Sequence, residues 1–166
     1  GGVNPDIEID QDDISNLIVS LIQERLFFDY ATYYKHQNPS LDSLFIMDDT
    51  GFNSFVDFLG DKSYDYKTET EKAFEVLKNK SEKENYFAEI QDKYENLFQE
   101  FEINKKNDLI RNKEIIKEIL SEEIASRYFY QEGRIRTSLN FDKEVQEAII
   151  YLSKQDMYNS VLSVTN

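Results

Sequence analysis

The chain has no cysteine and no tryptophan, one histidine, two prolines and five glycines. The lack of cysteine removes disulfides, thiolate metal sites and a cysteine nucleophile. It leaves the compartment open, because a thiol-free chain survives in oxidising and reducing spaces alike. One histidine and no cysteine exclude zinc-type sites built from several nitrogen or sulfur ligands. So little glycine and proline denies the chain the punctuation of a many-stranded β-protein and favours long helices. No apolar run approaches the roughly 20 residues needed to span a bilayer. Positive charge is scarce too: 19 Lys and Arg stand against 33 Asp and Glu, a net charge of −14. Nucleic-acid binding needs a basic face to displace condensed cations, so this balance argues against it. It argues against an anionic membrane surface for the same reason. The excess charge mostly keeps the chain in solution.

What is present is apolar and aromatic. The 166 residues are 40% hydrophobic, with 12 Phe and 11 Tyr. A chain of this length is one ordinary domain, able to bury roughly 70% of its unfolded surface without a staple. Its hydrophobic content argues against overall disorder.

At the N-terminus Val3, Ile7 and Ile9 sit at odd positions, with Asp6, Glu8 and Asp10 alternating with the last of them. That period of two predicts a half-buried strand. No second convincing strand follows, which suggests that its partner belongs to a longer protein. The opening Gly-Gly-Val, with neither a starting Met nor a signal peptide, reads as a cut piece, so a targeting signal is expected outside it.

From there the pattern is helical. Asp12 and Asp13 offer an N-cap to a helix with Ile14, Leu17, Ile18, Leu21 and Ile22 on one face, continuing to about His36 before Asn38-Pro39. Asp49 or Thr50 can cap a short helix carrying Phe52, Phe55, Phe58 and Leu59, stopped at Gly60. Thr68 and Glu71 have capping-box spacing. Phe87, Ile90, Tyr94, Leu97 and Phe101 form a two-heptad seam, best read as packing within a bundle. Asn107 or Asp108 caps a helix with Ile116, Ile119, Leu120, Ile124 and Tyr128 on one face, running toward Gly133. Asp142 caps the next, with Val145, Ala148, Ile149 and Leu152, and a last short helix spans about Asp156 to Leu162. The expected fold is all-α: a bundle or array of six to seven helices with a short N-terminal extended segment.

Catalytic signals are missing. His36 lies at the polar end of the first helix and reads as an exposed residue rather than a triad member. Ser153 and Lys154 are adjacent in a helix and point apart. The acidic stretch around Gly51 lacks EF-hand spacing, and there is no glycine-rich phosphate loop. No cofactor, metal or catalytic residue is assigned.

One segment stands out. "RYFYQEGRIR", Arg127 to Arg136, gathers three arginines and three aromatics in an acidic chain. Arg127, Arg134 and Arg136 have the fork geometry to hold a carboxylate or phosphate. The simpler reading is a structural clasp or interface of Arg127, Tyr128, Tyr130, Arg134 and Arg136, in which guanidinium groups meet internal carboxylates and stack on rings.

The stretch Glu122 to Leu152, "EEIASRYFYQEGRIRTSLNFDKEVQEAIIYL", resembles the C-terminal helical region of tail-specific, or carboxyl-terminal-processing, serine peptidases in the form seen in Bacteroidetes. "GGVNPDIEID" resembles the run that closes the peptidase core, and "LFFDYATYY" the first helix after it. The resemblance implies that residues 1–11 are the remnant of the closing strand and 12–166 the C-terminal helical domain. It implies a parent enzyme with a Ser-Lys dyad, commonly a PDZ domain, protein substrates and a periplasmic or cell-envelope location. Dyad and PDZ domain would lie upstream, and no position here matches them. The partner implied is the upstream protease core of the same chain. The helical part would brace that core, shape substrate access, or form a homo-oligomer through its aromatic faces. The competing reading is a stand-alone helical protein-interaction module without an enzymatic parent.

Overall fold

A computed structural model describes residues 7–9, 14–41, 44–60 and 62–163, the side chains of 161–163 excepted. Among the described residues the chain is all-α, with nine helices and no strand. They are α1 Asn16–Gln23, α2 Leu26–Gln37, α3 Asp49–Leu59, α4 Glu69–Lys83, α5 Phe87–Lys105, α6 Asp108–Arg111, α7 Lys113–Ser138, α8 Lys143–Ser153 and α9 Gln155–Ser163. The six to seven expected helices become nine, chiefly by two divisions. The first is split at Glu24 and Arg25, where Arg25 takes a left-handed conformation with φ 58°. The fifth acquires a separate opening turn, α6, ahead of Asn112. Of the predicted N-terminal strand, only Ile7 to Ile9 is described, and it is not in a strand.

Local chemistry explains most helix starts. The proposed caps Asp12 and Asp13 lie outside the described residues. The cap of α1 is Ser15, whose Oγ accepts from the Ile18 N–H and donates to Asn112 Oδ1 at 2.7 Å, tying α1 to the start of α7. Asp48, rather than Asp49 or Thr50, caps α3 by accepting from the Gly51 N–H. Asp49 is thereby left to pair with Lys113 and Lys117 of α7. Thr68 and Glu71 form the expected capping box, and Asp142 caps α8.

The core lies between α1, α2, α3 and α7, and α2 runs along α7. Leu17, Ile18 and Leu21 of α1 are buried, while Ile14 and Ile22, expected on the same face, are exposed. From α7 the stripe Ile116, Leu120 and Ile124 is fully buried. Tyr30 anchors the centre, edge-on to Phe55 and Phe58 at 5.2 Å, with its hydroxyl donating to the Gly51 carbonyl. Burial raises its pKa above the ordinary tyrosine value. The connector before α3 is pinned where the Met47 N–H donates to the buried Ser121 Oγ at 2.9 Å.

Helices α4 and α5 form a hairpin outside this core. Phe74 packs edge-on against Tyr94 and Phe98, each at 5.4 Å. The seam differs from the expected heptad by one position: Phe98 faces α4, and Leu97 is 56% exposed. No residue of α5 is buried and α4 buries Ser81 alone, since a two-helix hairpin leaves most of its side-chain surface open to solvent. The base of the hairpin is knotted by Lys105, which donates to both Glu71 carboxylate oxygens at 2.8 Å and to the Tyr66 carbonyl at 3.0 Å. The Tyr66 hydroxyl donates to Asp108 Oδ2. Burial, reinforced by that acceptor and its charge, holds this phenol well above its usual range.

Candidate functional site

The arginine-rich segment falls on a sharp corner inside α7. Tyr130 has φ 55° and ψ −148°, far from helical, and the helix resumes after it. Neither glycine nor proline marks the break, so the sequence gives no local warning. Beyond the corner the chain folds back on itself. Gly133 is buried, and the Phe129 Cβ and the Ala125 carbonyl, two turns earlier in sequence, close the space a side chain would need.

The five residues singled out divide into two groups. Arg127 and Arg134 converge on Glu123, Arg127 at 3.4 Å and Arg134 in closer contact, while Arg134 also reaches Glu122 at 3.6 Å. Arg127 further ties α7 to α2. Its guanidinium lies 4.2 Å from the Phe28 ring centre and donates to the Phe28 carbonyl and to Thr32 Oγ1. Tyr128 meets the C-terminal end of α2: its hydroxyl donates to the Asn38 carbonyl, and the Lys35 ammonium sits 3.6 Å over its ring. Tyr130 and Arg136 stand outside this network. Tyr130 is 81% exposed, and Arg136 meets the exposed Glu132 at 2.8 Å. Beside them lies a recess of about 540 Å³ bounded by Leu44, Tyr128, Phe129 and Arg136.

Electrostatically the corner is a desolvated carboxylate pair bridged by arginine. Burial raises the pKa of Glu122; the charge of Arg134 opposes this and that of Glu123 adds to it. Two adjacent carboxylates in this setting need a cation, and Arg134 supplies it from across the fold-back. Glu123 was legible as a partner of Arg127, since the two are four residues apart on one helix. Its pairing with Arg134 and the role of Gly133 depend on the corner and had no sequence signal.

Elsewhere, His36 is exposed at the end of α2, and among the described residues no group of three or more metal-ligating side chains comes together. No described helix is long and apolar enough to cross a membrane.

The structure is thus an all-α domain whose polar clusters tie its helices to one another. Residues 17–152, well over half of the chain, match the family described as the C-terminal helical domain of probable PDZ-proteases. The chain belongs to that family. No curated protein and no solved structure matches it.

Proposed function

We propose that the chain is the non-catalytic C-terminal helical domain of a carboxyl-terminal-processing, tail-specific serine endopeptidase, and that it braces the protease core. In this reading residues 1–11 close that core and 12–166 form the helical domain. The Ser-Lys chemistry and the handling of protein substrates belong to the upstream part of the same polypeptide, in the periplasm or cell envelope.

The observation that supports bracing is the convergence of Arg127 and Arg134 on Glu123. The guanidinium groups with the geometry to grip a ligand are engaged by carboxylates of their own helix. The segment then acts as a clasp: Arg127 and Tyr128 hold α7 to α2 and its following loop, and Arg134 fixes the fold-back that aims α8 and α9. Tyr130 and Arg136, facing outward, are its interface edge.

The test compares purified residues 1–166 with the full-length protein on an unstructured polypeptide substrate. The full-length protein is expected to cleave it and the 166-residue chain is not. Cleavage by the short chain alone, or a native reading frame with no hydrolase ahead of Gly1, would overturn the proposal.

A further inference from the structure

Helix α8 carries its apolar stripe toward the outside. Val145, Ala148, Ile149 and Leu152 fall at i, i+3, i+4 and i+7, one face of a helix. A free-standing bundle would turn that face inward. Yet no residue of α8 is buried, and Ile149 is 53% and Leu152 69% exposed. Its main helical partner is α9, whose described side chains are at most half-buried. An 11-residue helix holds little structure in water unless one face is covered.

The chain itself indicates what covers it. Ile7 and Ile9, the described part of the period-two segment, form one wall of a recess of about 340 Å³. Glu144, Glu147 and Ala148 of α8 form the other. Ala148 belongs to the open stripe. Ile7 to Ile9, within the segment read as closing the protease core, therefore face α8, and covalent continuity keeps what is joined to them close to the stripe.

Resting on the function proposed above, we infer that the α8 stripe is the seat of the protease body of the same polypeptide. That body arrives along Ile7 to Ile9 and covers Ala148, Ile149 and Leu152 with an apolar surface. Glu144 and Glu147 rim the recess, so the facing edge of the body carries basic residues.

The test uses the full-length protein with photo-crosslinking benzoylphenylalanine in place of Leu152 or, separately, of the exposed Leu97 on α5. Position 152 is expected to link within one chain to a peptide that precedes residue 7, and position 97 is not. Adding Ile149→Asp is expected to cut the yield from position 152 at least fivefold. A link from position 152 to a second chain would mean that the seat takes another copy and would overturn the inference. So would an absent link at 152, with or without one at 97. Calorimetry of the same protein separates the two levels. Failure of the link with core and helical domain melting in one transition sinks the seat alone; two independent transitions sink the bracing function as well.

Discussion

Gly133 rests directly on the backbone carbonyl of Ala125. A methyl group at position 133 would stand 2.9 Å from that oxygen and 2.5 Å from the Phe129 Cβ. Glycine here is required by proximity, since the two arms of α7 touch at this point. Two effects compete in Gly133→Ala. Alanine favours a helix by roughly 1 kcal/mol over glycine, whereas overpacking against a backbone that cannot swing aside costs roughly 1–3 kcal/mol. The clash wins, and the variant is expected to melt lower, by roughly 2–4 °C for each kcal/mol lost. An unchanged or raised melting temperature would show that the fold-back is not held at this contact.

Tyr130 presents the opposite case. Its φ of 55° and ψ of −148° lie in a region that glycine tolerates and a tyrosine does not, and its ring is 81% exposed. Strain of this kind costs about 1–3 kcal/mol, and little burial is lost with the ring. Tyr130→Gly is therefore expected to stabilise the isolated chain, less a fraction for the greater freedom of glycine when unfolded. Thermal melting checks the direction. If the ring is an interface element in the full-length protein, the same variant will stabilise the short chain and weaken the longer one.

The corner's charges can be separated from its packing. Arg134→Ala leaves Glu122 and Glu123 without their partner across the fold-back. The arginine is 43% exposed and Glu123 only 15%. The expected loss lies between that of an exposed ion pair and a buried one, about 1–2 kcal/mol. A double-mutant cycle with Glu123→Gln should recover a coupling of similar size, diminished at high salt. Additive single effects would show that Arg134 acts through its stem alone.

The helices themselves were legible because their signals are local. Thr68 and Glu71, Asp142, and the stripe Ile116, Leu120 and Ile124 each declare themselves within a turn or two, and each does what its spacing implies. What escaped was set by tertiary contact. Nothing in "IQERLF" breaks the apolar period, yet the chain turns at Arg25 so that Leu26 and Phe27 can enter the core. Gly133 looks like a helix stop and is a packing glycine, because the true break three residues earlier is made by a tyrosine. The stripes of α5 and α8 were legible as apolar faces, but a sequence pattern does not say whether the covering surface lies inside the domain or beyond it.

Ser121 offers a test of the core that spares its volume. Its Oγ, fully buried, accepts the Met47 N–H and donates to the Lys117 carbonyl. Ser121→Ala leaves a backbone donor in an apolar setting with nothing to bond, a loss of about 1–3 kcal/mol. Ser138→Ala removes a hydroxyl that only returns to its own helix at Ile135 and should cost no more than about 0.5 kcal/mol. Denaturant titration of the two variants should separate them clearly. Equal midpoints would mean that water takes over the Met47 amide.

The knot at Lys105 makes the base of the α4–α5 hairpin sensitive to acid. Burial of Glu71 opposes its ionisation, but the hydrogen bonds from Lys105 and the Thr68 amide, with the lysine's charge, outweigh it and hold the carboxyl below its ordinary value of 4.5. A folded-state pKa that is depressed contributes stability present in full above the unfolded value and lost as pH falls through the folded one. Lys105→Met should cost about 2 kcal/mol at pH 7, since it removes charge-assisted bonds from a largely buried acceptor. The difference between variant and wild type should then shrink below pH 4.5 as Glu71 takes up its proton. It should not vanish, because Lys105 also bonds the Tyr66 carbonyl and lies 4.5 Å from that ring's centre, contacts that acid leaves intact. Urea unfolding of both proteins at pH 7 and at pH 3 measures the two gaps. A gap that stays constant between them would mean that the Glu71 pair contributes nothing and that Tyr66 alone holds the lysine.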